Sequence, residues 1–230
     1  MTAHAEFDEY SASYREQHAA SIRLSGEDVD FFAEYKARDA RRLSERAGCE
    51  VRTILDFGSG IGNAVQPLLA SFPEAELTCL DVSAQSLAVS REANGDRPAY
   101  RLYDGRTVPF ADGAFDLAFT ACVFHHIPES EHVALLAELR RVLRPGGLFV
   151  LFEHNPWNPL TRHVVASCPF DANAVLISAP AMKRRLKAAG FGQVETRYRI
   201  FFPNALKALR PLERLLAPVP LGGQYVLSAA

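Results

Sequence analysis

Cysteine is scarce. Cys49, Cys79, Cys122 and Cys168 are spread along 230 residues with no CxxC pair, so neither a zinc-site spacing nor a disulfide framework is indicated. Three of them stand beside apolar residues and are expected to be buried thiols, as suits a reducing cytoplasm. Long hydrophobic runs are missing: none approaches the ~20 residues of a spanning helix. The opening MTAHAEFDEYSASYREQH has neither the basic start nor the apolar middle of a signal peptide. A surplus of one charge is also missing. The net charge is −2, which argues against a polybasic face overall, although a local patch can hide inside a near-neutral total. Repeats and low-complexity tracts are absent too. What is present is ordinary: 48% hydrophobic and 23% charged residues, enough for one sizeable core.

The first ~50 residues have helical patterns near 5–20 and 27–47, with Ser25 or Asp28 placed to cap the second. Phe7, Tyr10, Tyr14, Phe31, Phe32 and Tyr35 make this stretch unusually aromatic. From Val51 onward, short apolar runs at 53–57, 76–81, 99–103, 115–120 and 147–153 alternate with helical patterns at 62–71, 83–94 and 130–143. In the last helix Val133, Leu136, Leu139, Val142 and Leu143 form an apolar stripe, and Pro145-Gly146-Gly147 breaks it. The alternation predicts a doubly wound α/β sheet with right-handed crossovers. Residues 154–177 hold Pro156, Pro159 and Pro169 and predict an irregular excursion with a short helix. A helix is expected at 179–189, a strand near 193–201, a helical insert with Leu206, Leu209, Leu212, Leu215 and Leu216, and a last strand at 224–228. The count is seven strands, mostly parallel, with the last antiparallel.

The turn after the first strand reads TILDFGSGIGN, residues 53–63. Gly58, Gly60 and Gly62 permit positive φ and close backbone approach at the carboxyl end of a strand, where such sheets bind ligands. A dinucleotide fingerprint, GxGxxG, would need glycine at Asn63. The register hhDhGxGxG, with Asp56 before the glycines, resembles motif I of the class I S-adenosylmethionine-dependent methyltransferases. Asp81 in CLDVS, Asp104 in RLYDGRTVPF, the segment FADGAFDLAFTACVFHHI and the stretch LLAELRRVLRPGGLFVLFE follow in that family's order, over roughly residues 51–153.

The resemblance implies a Rossmann-like doubly wound seven-stranded sheet with an N-terminal helical lid over residues 1–50. Residues 51–230 would be the catalytic domain, with acceptor-pocket inserts at about 154–177 and 202–222. It implies S-adenosylmethionine as cofactor, S-adenosylhomocysteine as product, and contacts from Asp56, Gly58, Gly60, Gly62, Asp81, Val82, Asp104, Gly105, Ala121 and Tyr14. Asp56 would face the ammonium, Asp81 the ribose hydroxyls and Asp104 the adenine amino group.

Methyl transfer to a protonated acceptor gains from a base. His125 and His126 follow the fourth strand, where the transferred methyl should point. Neighbouring residues on a regular element diverge, so one histidine is expected to face the reaction, with His126 slightly favoured, and the other to be a packing or hydrogen-bonding partner. Glu153, in the cluster Glu153-His154-Asn155 at the end of the fifth strand, is the third catalytic candidate, either orienting a histidine or binding the acceptor. Tyr10, Tyr14, His18, Tyr35 and Lys36 are expected to line or close the site. Asn155-Pro156-Trp157 resembles a flipped-base motif of amino-methylating nucleic-acid enzymes, but it follows the wrong strand and lacks the second proline. The expectation is therefore a small-molecule acceptor, apolar or aromatic, with no nucleic acid, no membrane insertion, no metal, a cytoplasmic setting, and a monomer or homodimer. The alternatives are a non-catalytic protein that binds the same cofactor on the same fold, and a nicotinamide-dependent oxidoreductase.

Overall fold

The computed structural model describes residues 26–230, with the backbone alone for Phe170. The helical pattern at 5–20 and Tyr10, Tyr14, His18 and Ser25 lie outside the described residues. Helix α1, Val29–Ala47, begins where Asp28 accepts the Phe31 amide at 2.7 Å. It ends on Gly48, whose left-handed φ of 66° lets its N–H reach the last carbonyls. Then follow β1 (Thr53–Phe57), α2 (Val65–Ser71), β2 (Glu76–Asp81), α3 (Ala84–Asn94), β3 (Ala99–Leu102), β4 (Phe115–Ala121), α4 (His132–Val142) and β5 (Leu143–His154). The chain closes with α5 (Pro159–Ala166), α6 (Ala179–Ala188), β6 (Val194–Arg199), α7 (Glu213–Leu216) and β7 (Gln224–Ala229).

The seven strands lie in the order β3-β2-β1-β4-β5-β7-β6, all parallel except β7, which runs antiparallel to β5 and β6. The expected architecture is the observed one. Order reverses between β1 and β4, which puts a crevice above their carboxyl ends. Alternate residues of β5 divide the core. Phe149 and Leu151 face α4 and α6, with Leu136, Leu139, Met182 and Leu186. Val150 and Phe152 face the α1 and α2 side, with Ala37, Ala40 and Leu68. Burial of both faces explains why the strands appear in the sequence as continuous apolar runs.

Two local expectations are corrected. The Pro-Gly-Gly does not separate α4 from the next strand. Helix α4 gives way to β5 at Leu143, so Pro145-Gly146-Gly147 lies inside the strand, opposite a register shift between Phe115 and Leu117. On α4 the buried edge is Leu135, Leu136, Leu139 and Val142, while Val133 faces out. The helical insert expected within 202–222 is present and is mostly 3₁₀. Asn204–Leu212 is a 3₁₀ helix holding Pro211, and only Glu213–Leu216 is α-helical.

Candidate active site

A cleft of about 560 Å³ opens above the carboxyl ends of β1, β2, β4 and β5. Its floor is the turn after β1. Gly58 and Gly60 stand there with φ of 72° and 51°. A Cβ on Gly58 would strike Val123, whereas one on Gly60 would point into open space. Gly62 is different: a Cβ there would come within 2.1 Å of the Ser90 hydroxyl, so this glycine lets the turn pack on α3, and it does not line the cleft. That corrects the expectation that all three glycines touch a ligand.

The predicted acids come together. Asp56, at the end of β1, lines the cleft, is 2% exposed and leaves Oδ2 with no partner. Burial, reinforced by the charge of Asp81, pushes its carboxyl up to about 7. Asp81 closes β2 and accepts the Gly60 amide at 2.7 Å and the Ser83 amide at 2.9 Å. Asp104 follows β3, accepts the Arg106 and Thr107 amides, and is held by those bonds below its ordinary range. Val82, Gly105 and Ala121 also line the cleft.

The opposite wall is built from the turn after β4. Cys122 adopts a φ of 60°, a left-handed value costing a non-glycine residue roughly 1–2 kcal/mol. Three hydrogen bonds hold it there. The Cys122 amide donates to the Phe152 carbonyl, and the next two amides, of Val123 and Phe124, fall on one Glu153 oxygen at 3.1 and 2.8 Å. The other oxygen of Glu153 meets His125 Nδ1 at 2.6 Å. The short 3₁₀ turn Phe124–His126 follows.

Here the sequence argument about neighbouring histidines is corrected. His125 and His126 do not diverge: their rings lie 4.1 Å apart, and their Nε2 atoms sit 3.5 and 3.3 Å from Asp171 Oδ1. His125, 2% exposed, is enclosed between two carboxylates. Burial alone would push its pKa down, but Glu153 and Asp171 outweigh burial and push it up to about 10. The imidazolium in turn holds Glu153 and Asp171 low despite their burial. His126 keeps some exposure and lines the cleft, and burial lowers its pKa below the ordinary 6.5. His125, His126 and Asp171 together have ligand atoms within 4.8 Å of one another, a spacing that suits a metal ion. With His125 protonated between Glu153 and Asp171, the three side chains form one hydrogen-bonded cluster on the cleft wall.

Glu153 does not line the cleft; of the two roles expected for it, its contacts fit orienting a histidine, and it also fixes the loop. Glu153→Ala is expected to lower the melting temperature by ~10 °C, since breaking a buried pair costs ~3–5 kcal/mol and each kcal/mol is ~2–4 °C in a chain of this size. A thermal scan showing a shift below ~3 °C would contradict that role.

Three lining residues escaped the sequence argument or were placed in it only loosely. Asp171 sits in a 3₁₀ turn of the irregular excursion, with no pattern to announce it. Cys122 has a pKa lowered to about 7: burial raises it, but the positive fields of His154 and Lys36 prevail. Lys36, expected to line or close the site, lines the cleft and is 8% exposed, with Nζ 3.5 Å from Cys122 Sγ. Tyr35 is not part of the lining; its hydroxyl donates to Gln224 on the neighbouring strand. Asn155 is fully buried and donates its amide to the Pro220 and Gly222 carbonyls, a structural tie with no free edge for a flipped base.

Comparison with known proteins agrees with this geometry. Residues 55–151 match the family model described as "Methyltransferase domain". The chain is 30% identical to a malonyl-[acyl-carrier protein] O-methyltransferase of Geobacter sulfurreducens over 182 residues, 73% of this chain and 67% of that protein. It is 39% identical to a ubiquinone/menaquinone biosynthesis C-methyltransferase of Methylobacterium nodulans over 105 residues, 44% of this chain and 41% of that one. With a trans-aconitate 2-methyltransferase of Methylobacterium radiotolerans it shares 36% over 160 residues, 67% of this chain and 59% of that protein. The chain thus spans about half the length of the first curated relatives it matches. A Thermotoga maritima structure described as a possible histamine N-methyltransferase superposes with a TM-score of 0.68 at 18% identity, covering 99% of both chains.

Proposed function

This chain belongs to the class I S-adenosylmethionine-dependent methyltransferase family, and on that premise we propose that it methylates a small-molecule acceptor in the cleft above β1 and β4. The residues fit the cofactor. Asp56 has a buried, unpartnered oxygen suited to an ammonium, and the Gly60 position is open where a Cβ would intrude. Asp81 and Asp104 stand at the next two strand ends. Lys36, a buried cation among the described lining groups, suits the carboxylate of the methionyl end. When bound, S-adenosylmethionine supplies a sulfonium methyl that needs only an aligned nucleophile and a dry site.

The observation that favours turnover over mere binding is the pairing of His126 with Asp171 on the cleft wall. With Asp171 beside its Nε2, a neutral His126 can take a proton from the acceptor. His125, held as an imidazolium, orients Asp171. His126 must be neutral to act, and burial lowers its pKa. Turnover is therefore expected to be full at neutral pH and to fall only below about 6.5 as His126 is protonated. An acid limb with its midpoint above ~7 in a pH profile of kcat would contradict this assignment.

Apolar groups such as Ile127, Leu160, Phe201 and Pro203 line the acceptor side of the cleft and favour an apolar or aromatic acceptor. Release of S-adenosylhomocysteine across a panel of phenols, quinols and carboxylic acids tests the reading. Donor binding with no turnover on any of them would favour the non-catalytic alternative.

A further inference from the structure

The segments 154–170 and 199–223, which frame the mouth of the cleft, carry Arg162, Arg199, Lys207, Arg210 and Arg214 against one acid, Glu213, in a chain of net charge −2. Arg199 is engaged with Asp39, and Arg210 with Glu27 and the Phe31 ring. Glu213 is turned inward, accepting the amides of Phe201 and Phe202. Arg162, Lys207 and Arg214 are exposed and form no ion pair among the described residues.

Between these cations runs an apolar ridge. Leu206, Leu209, Leu212 and Leu215 recur every third residue. The 3₁₀ segment Asn204–Leu212 is kinked at Leu206, whose φ of −113° is non-helical, and beyond the kink its three-residue turn sets Leu209 and Leu212 along one edge. All four are 40–77% exposed. Trp157 and Leu160 stand exposed at the start of α5, and Asn158 ties that start to Leu221 through a 2.8 Å bond to its carbonyl. Leu160 also lines the cleft, so the exposed apolar surface reaches the binding site. No helix of the described residues is long and apolar enough to cross a membrane, so contact with lipid would be interfacial.

We propose that this face, Leu206, Leu209, Leu212 and Leu215 with Trp157 and Leu160, docks on an anionic lipid surface. The leucines reach into the acyl boundary, Trp157 sits at headgroup level, and Lys207 and Arg214 meet the phosphates. Outside the two segments the chain is net acidic, so an anionic surface repels the rest of the molecule and turns this face inward. An apolar acceptor then enters the cleft from the membrane, a step that rests on the methyltransfer reading.

Co-sedimentation of the full chain with vesicles tests the proposal. Binding is expected to vesicles of equal parts phosphatidylcholine and phosphatidylglycerol, and to fall with salt. The Leu209→Glu/Leu212→Glu and Lys207→Glu/Arg214→Glu pairs, all at exposed positions, are each expected to weaken it about tenfold or more. Equal binding to pure phosphatidylcholine would overturn the anionic assignment. No binding to either vesicle would overturn the proposal. So would a solution dimer by light scattering that Leu209→Glu/Leu212→Glu dissociates, because the face would then join two copies. Donor binding, followed by calorimetry in the same preparation, reports on the cofactor site separately from these results.

Discussion

His126→Ala is expected to lower kcat by ~10²–10⁴-fold, the usual contribution of a positioned base, while the affinity for S-adenosylmethionine stays nearly unchanged. The separation follows from where the residue sits. His126 is on the wall formed by the turn after β4, beside Asp171, while the groups suited to the cofactor come from the ends of β1, β2 and β3. Removing the imidazole deletes the proton acceptor without touching the glycine floor or the acids. The variant should fold, because His126 keeps partial exposure and the loop is held by Glu153 through Val123, Phe124 and His125. His125→Ala would behave differently: it leaves Glu153 and Asp171 buried without their cation, and is expected to lose stability as well as rate. Single-turnover kinetics on His126→Ala with a found acceptor is the decisive measurement. Full activity would leave positioning of the acceptor as the whole of catalysis.

Gly60→Leu is expected to weaken S-adenosylmethionine binding by ~10²-fold or more while the protein still folds. At this position an added Cβ meets no protein atom within 4 Å, in a turn that lines the cleft. The fold therefore bears only the backbone penalty of a left-handed non-glycine residue, ~1–2 kcal/mol, or a few degrees of melting temperature. A ligand lying on the floor bears the full volume of the leucine. Overpacking costs ~1–3 kcal/mol even where neighbours relax, and a backbone floor has little room to do so. Gly62→Leu gives the reverse pattern, because its Cβ collides with Ser90 on α3 and the loss falls on folding. Calorimetric affinities and melting temperatures of the two variants separate the roles. Retained micromolar binding in Gly60→Leu would place the ligand elsewhere.

The sheet was legible because its strands are buried on both faces and appear as continuous apolar runs between helical patterns, so β1, β2 and the antiparallel β7 fall where expected. The acids at the ends of β1, β2 and β3 were legible for a related reason: strand ends at a reversal of strand order face the crevice, and a lone carboxylate after an apolar run marks such an end. Other features depend on contacts that spacing does not carry. Asp171 joins the histidines only because the excursion after β5 folds back over the turn after β4. Glu153 ends a strand as the pattern required, yet nothing local says that its carboxylate turns toward three donors of the neighbouring turn. The two histidines converge on Asp171 from a short 3₁₀ turn that follows Cys122, whose left-handed φ its residue type does not signal. The leucines of 206–215 mark a helical insert, but their spacing does not announce that it is 3₁₀, with a kink at Leu206 and Pro211 inside.

The most direct test of the central claim, that the cleft over the glycine turn is a site for S-adenosylmethionine, is calorimetric titration of the purified protein with S-adenosylmethionine, S-adenosylhomocysteine and NAD. One equivalent each of the first two, with no heat from NAD, is the expected result. Binding of NAD, or no binding of the two adenosyl ligands, would contradict it.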